Sequence, residues 1–166
     1  MTSRRTLLWA AAAGLGATAI GGLTRLRARA ATTPPAQNFE VSHSDAEWRS
    51  LLTPEQYEVL RRHGTERAGS SSLDKLYASG SYLCAGCDLA VFSSATKFDS
   101  GTGWPSFFAP IEGNIGTSED RSWLMTRTEV PCRRCGGHLG HVFPDGPAPT
   151  GLRYCMNGVA LKFVPA

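Results

Sequence analysis

Two short cysteine pairs limit this chain more than any other feature: Cys84-Ala85-Gly86-Cys87 and Cys132-Arg133-Arg134-Cys135. A C-x-x-C with glycine inside or just after it bends the backbone so that both sulfurs point at one centre. Two such knuckles supply the four thiolates of a tetrahedral Zn²⁺ site, closed and structural, with no open coordination position. The knuckles are separated by 44 residues, 88–131. A shared metal would therefore fasten distant parts of the chain together. Three other readings use the same cysteines: two local disulfides, a redox-active C-x-x-C, and a zinc-ribbon nucleic-acid module. Disulfides inside C-x-x-C close loops too small to constrain much. No βαβ pattern of the thioredoxin kind precedes either pair.

Charge bears on the nucleic-acid reading. The 166 residues carry a formal +3, but residues 1–30 hold Arg4, Arg5, Arg25, Arg27 and Arg29 and no acid. Elsewhere 12 basic residues face 14 acidic ones. A slightly acidic body has no general attraction for phosphate backbones, so no nucleic-acid partner is expected. The basic segment reads as a leader. Arg4-Arg5 precede an uncharged, mildly apolar run from Leu7 to Leu23, and Ala28-Arg29-Ala30 offers a small-x-small cleavage site. Residues 1–30 thus resemble a Tat-type signal peptide, which implies bacterial export to the periplasm or another extracytoplasmic space. An uncleaved membrane anchor is the alternative. Tat cargo crosses the membrane folded, which suits a metal inserted beforehand. Residues 31–38 read as an extended linker, and residues 39–166 as one domain.

Within the domain, Ser44-Asp45-Ala46-Glu47 and Thr53-Pro54-Glu55-Gln56 are capping boxes, each opening a short helix; Gly64 is placed to close the second. Beyond Gly80, apolar runs at Ser81–Leu83, Ala90–Phe92, Trp123–Met125, His141–Phe143 and Val159–Phe163 lie between Gly, Pro, Asp and Ser. That spacing predicts several short antiparallel strands and a mainly β fold beneath an N-terminal helical cover.

Cys155 has no partner in either knuckle. A lone cysteine can be an inert small hydrophobe or a nucleophile. In a strand, Arg153, Cys155 and Asn157 share one face, and a neighbouring cation favours the thiolate. His138 and His141 follow the second knuckle as H-x-x-H. They are candidate metal ligands or, with four thiolates already filling a tetrahedron, candidate acid/base groups beside Cys155. Trp104, in Gly103-Trp104-Pro105, is either a core indole or an apolar wall of a pocket.

Three long runs then carry a resemblance: Thr96–Phe107, Gly137–Phe143 and Gly151–Asn157. With the knuckles and Leu52–Tyr57, they resemble the B-type peptide-methionine (R)-S-oxide reductases over about residues 40–164. The resemblance implies a β-tent of two antiparallel sheets bearing one structural zinc on Cys84, Cys87, Cys132 and Cys135. It implies a catalytic Cys155, a Trp104 that receives the sulfoxide methyl group, and His138 and His141 that bind the sulfoxide side through water and assist protonation. Asn157 matches the polar residue beside them, and Arg153 the cation. The implied activity is oxidative damage repair: oxidised proteins and peptides are substrates, Cys155 becomes a sulfenic acid, and an oxidoreductase cycle follows. One position departs. Where many members carry a second cysteine in the Ser-Gly-Cys-Gly-Trp-Pro run, this chain has Thr102. The sulfenic acid is therefore expected to await an external thiol, whether thioredoxin-like, glutaredoxin-like or small. A monomer is expected. The competing class is a binding module that holds a thioether or sulfoxide in the same pocket without turnover.

Overall fold

The computed structural model describes residues 38–122 and 125–166. The leader of residues 1–30 and all but Asn38 of the linker lie outside the described residues, as do Trp123 and Leu124.

Two helices open the domain, α1 (Asp45–Leu51) and α2 (Pro54–Arg62). Both capping boxes form. Glu47 N–H donates to Ser44 Oγ at 3.3 Å, and Ser44 N–H donates back to Glu47 Oε2 at 2.7 Å. Gln56 N–H and Thr53 N–H make the same exchange at 3.2 and 3.1 Å. Each box satisfies two otherwise orphaned donors, which is how helices of seven and nine residues hold their ends. The close of α2 differs from expectation: the left-handed position is His63 (φ 57), one residue before Gly64. His tolerates this region better than branched residues do, and the turn aims its ring back at the sheet.

Among the described residues, nine strands follow in two antiparallel sheets. The smaller has the order β2 (Ala90–Ser93), β1 (Gly80–Cys84), β9 (Leu161–Pro165). The larger runs β3 (Lys97–Phe98), β4 (Ser106–Phe107), β8 (Arg153–Met156), β7 (His138–Phe143), β6 (Arg127–Pro131), β5 (Ser118–Asp120). Two boundaries correct the sequence expectation. Met125 precedes β6 outside any strand and is exposed. Val159 and Ala160 belong to a 3-10 turn, Gly158–Ala160, that bends the chain into β9.

Between the sheets lies an aromatic core in which the Phe92 and Phe107 rings stack at 4.4 Å and Tyr82 meets Phe107 edge-on at 4.9 Å. Helix α2 buries Tyr57, Val59 and Leu60 and packs against β7. Alternation divides β8 cleanly. Tyr154 and Met156 point into the core while Arg153 and Cys155 are half-buried on the other face. That outer face holds the site.

Candidate active site

Antiparallel register sets the chemistry out in a line. Cys155 on β8 lies opposite Ser106 on one side and His141 on the other; His141 lies opposite Glu129, and Glu129 opposite Ser118. Directly paired residues share a face, so a polar row crosses the large sheet. Two residues further along each strand, on the same face, come Asp120, Arg127, Phe143 and Arg153.

His138 should by alternation point away from His141, because they are three apart. It does not. Pairing slips between Val130–Gly140 and Pro131–His138, leaving Leu139 unpaired as a β-bulge. The bulge returns His138 to the face of His141, and their rings meet edge-on at 5.1 Å.

Each histidine is held by a carboxylate. His141 Nε2 lies 2.8 Å from Asp120 Oδ2, and His138 Nδ1 lies 2.7 Å from Glu129 Oε1. Burial opposes ionisation of Asp120, but hydrogen bonds from Ser122, His141 and Arg127 outweigh it and hold its carboxyl well below the usual range. Burial likewise opposes ionisation of Glu129, and His138, His63 and Ser118 outweigh it. Both acids are therefore acceptor-only carboxylates, so His141 carries its proton on Nε2 and His138 on Nδ1. Proton exchange is left to the other ring nitrogen of each. For His141, burial lowers the proton affinity and Asp120 partly restores it. His138 Nε2 is buried without a hydrogen-bond partner among the described residues.

A pocket of about 110 Å³ sits above this row, lined by Thr65, Trp104, Arg127, Gly140, His141, Phe143, Cys155 and Asn157. The structure thus brings Trp104, His141, Cys155 and Asn157 to one cavity. His138 does not line it and lies buried behind His141. The Trp104 indole N–H donates to Glu66 O at 3.2 Å, which leaves its apolar face as wall. Asn157 is past the end of β8 and works mainly inward: Glu66 N–H donates to its Oδ1 at 3.0 Å, and its Nδ2 donates to Leu139 O at 3.2 Å. Glu66 in turn accepts from Gly158 N–H and Val159 N–H at 2.7 and 2.9 Å. Asn157 thereby ties the indole's anchor to the bulge. Arg153 is near the Cys155 sulfur, but its fork grips Asp145 at 2.9 and 2.7 Å and lies over Phe143 at 4.5 Å. On the far side, Thr102 Oγ1 stands 3.7 Å from Cys155 Sγ. Asp120, Glu129, Arg127 and His63 escaped the sequence reading, since no spacing motif marks them. For Arg127 and Glu129 the available signal was alternation along one strand, β6; for Asp120 and His63 the sequence held none.

The four knuckle cysteines converge, their sulfurs all within 4.8 Å of one another. Cys84–Cys135 and Cys87–Cys132 Sγ separations are 3.7 and 3.5 Å. Disulfide sulfurs lie ~2.05 Å apart; tetrahedral thiolates ~2.3 Å from a common ion stand roughly 3.8 Å apart. The donor set fits a metal, and none of these cysteines is joined in a disulfide. Cys84 closes β1 of the small sheet while Cys132 follows β6 of the large one, so an ion there staples the two sheets. A second convergence, His63, Glu129 and His138, has Nδ1–Oε1 distances of 2.8 and 2.7 Å. These are direct hydrogen bonds.

The SelR domain model matches residues 52–165. A peptide methionine sulfoxide reductase MsrB of Leptospira interrogans is 54% identical over 127 residues, 76% of this chain and 97% of that protein. The protein of the same description from Agrobacterium fabrum is 54% identical, covering 76% of this chain and 94% of its own length. One from Pseudomonas syringae is 57% identical over 120 residues, 72% and 92% of the two chains. With the domain matched from the residue after α1 to β9, this chain belongs to the SelR family, that of the MsrB peptide methionine sulfoxide reductases.

Proposed function

We propose that this chain reduces methionine-(R)-sulfoxide in peptides and proteins to methionine, with Cys155 as the nucleophile. The observation that carries the reading is the position of Cys155: one thiol in a small pocket between the Trp104 indole and the carboxylate-held His141. The Cys155 thiolate attacks the sulfoxide sulfur and forms an S–S bond, the oxygen takes one proton, and as the S–O bond breaks the oxygen passes to the cysteine sulfur while the S–S bond breaks and methionine leaves. Sulfoxide, thiolate and one proton become thioether and sulfenic acid, so electrons balance and sulfur at Cys155 is oxidised. His141, whose buried ring gives up a proton readily, is the nearest donor, and His138 supports it from behind. Trp104 receives the methyl group and the polar row receives the oxygen, so together they select one sulfur epimer. Arg153, shared with Asp145, places a positive charge beside the Cys155 sulfur.

Zn²⁺ is the metal we assign to Cys84, Cys87, Cys132 and Cys135, where it supplies folding energy rather than chemistry. Thr102 leaves no second thiol, so an external thiol regenerates Cys155. The leader of residues 1–30 supports Tat export and action outside the cytoplasm, on a monomeric protein. Turnover with dithiothreitol and each epimer of a methionine sulfoxide peptide tests the reading. Reduction of the R epimer alone is expected. Tight binding of sulfoxide without turnover would instead favour a binding module.

A further inference from the structure

Glu129 Oε1 is shared. It accepts from the buried His138 at 2.7 Å and from His63 at 2.8 Å, while Ser118 Oγ donates to Oε2 at 2.7 Å. One negative charge thus serves two imidazoles in very different surroundings. The His138 side chain is 2% exposed and that of His63 is 63% exposed. The left-handed turn at the end of α2 delivers the His63 ring to 5.3 Å from His138, and His138 abuts His141 in the pocket. A continuous path of contact therefore runs from solvent, through one carboxylate, to the catalytic face.

We propose that His63 is a pH-responsive positioning residue for the proton-donating histidines, acting through Glu129. When His63 carries a proton, the charge of Glu129 is divided between two rings. When His63 loses it from Nε2, its Nδ1–H bond to Glu129 remains but is no longer assisted by the ring's positive charge, the bond from His138 strengthens, and the histidine pair is held more firmly for donation. The other charged groups facing this trio are Asp120 on β5, Arg127 on β6, His141 on β7 and Arg61 on α2. None of them is as exposed to bulk pH through a direct bond to Glu129 as His63 is. The hydrogen bond to Glu129 raises the His63 pKa from the ordinary imidazole value, with burial opposing.

The proposal rests on the reductase reading for its consequence but not for its coupling, and two measurements separate them. Single-turnover rates of sulfoxide reduction at pH 8 and pH 6 are compared for the zinc-loaded wild-type protein, His63→Asn and His63→Lys. Asn accepts the left-handed position but is too short to reach Glu129. The ratio of rates, pH 8 over pH 6, should be about threefold larger in wild type than in the Asn variant, the effect of losing one nearby titrating charge at partial exposure. The Lys variant should stay slow at pH 8. Independently of turnover, the His138 Nδ1 resonance in ¹⁵N spectra should move as His63 titrates in wild type and should lose that movement in the Asn variant. Equal rate ratios would overturn the proposal even with a uniformly slower Asn variant, since that pattern marks a structural role. A His138 signal blind to His63 would overturn the coupling whether or not the protein turns over sulfoxide.

Discussion

Cys155 works from mid-strand, where its backbone is fixed by β4 and β7 on both sides. A thiol so placed gains little from loop motion and much from its fixed neighbours. Cys155→Ser removes the nucleophile and alters no core contact, because the core-facing residues of β8 are Tyr154 and Met156. It should abolish reduction while leaving bound metal and the melting temperature unchanged; metal analysis and thermal unfolding of the purified variant check this. Trp104→Ala removes a wall and no reacting group, so KM should rise about tenfold or more while kcat falls less, with loss of epimer choice. Assays on separated epimers read that split. Thr102 offers a gain of function. Its Oγ1 is already 3.7 Å from Cys155 Sγ, so Thr102→Cys should form an internal disulfide with Cys155 after one turnover. A peptide map of the oxidised variant would reveal it.

Strand β7 is the element on which the site depends. Its bulge at Leu139 turns His138 and His141 to one face, and Gly140 beside it leaves no room for a side chain against β8. A Cβ at Gly140 would stand 2.2 Å from Cys155 O and 2.9 Å from Met156 Cα. Gly140→Ala must therefore push β8 away, which should cost about 2–3 kcal/mol of stability or more and displace Cys155. Activity and urea midpoint should fall together. Elements of this kind also mark where the sequence was readable. The capping boxes at Ser44 and Thr53 act within four residues, so both helices could be placed from the letters alone. The face shared by Arg153 and Cys155 followed from strand period. The bulge could not be read, because it is a mismatch between β6 and β7 that neither strand shows by itself. For the same reason nothing in the letters singles out Asp120 and Glu129, although folding sets them against His141 and His138. Asn157 was expected on the face of Cys155, beside the histidines. Its amide is largely spent on Glu66 and Leu139 because the chain turns off the strand just there.

At the scale of the whole molecule, two sheets are joined by an aromatic core and by four sulfurs contributed from both. Stripping the metal, or replacing one ligand as in Cys132→Ser, should give misfolded or insoluble protein rather than a folded enzyme of lower rate. Circular dichroism after chelation checks it, and a metal-free protein with native spectrum and activity would remove the staple. Acid should also loosen the fold. Asp120 and Glu129 have depressed pKa values, so the stability they contribute is complete above the ordinary carboxylate range and is lost as pH falls below it. The His63 ion pair has the opposite sign. Its raised pKa gives stability below the ordinary imidazole value that is lost as pH rises through the folded value, and its exposure keeps this small. Melting temperature should therefore drop steeply below about pH 4 and only slightly above neutrality. The proposed Tat export makes its own prediction: changing Arg4 and Arg5 together to Lys should keep the protein inside the cell, as fractionation would show.

Counting thiols over the molecule decides the catalytic cycle. Of five cysteines, four converge on the metal site, and only Cys155 is free to react. A peptide bearing methionine-(R)-sulfoxide, added in stoichiometric amount without reductant and followed by intact-mass and peptide mass spectrometry, reads the outcome. One oxygen per chain, located on Cys155, trapped by dimedone and accompanied by no loss of zinc, is the expected result. An unmodified Cys155 beside reduced methionine, or a disulfide between Cys155 and a knuckle cysteine with zinc released, would contradict it.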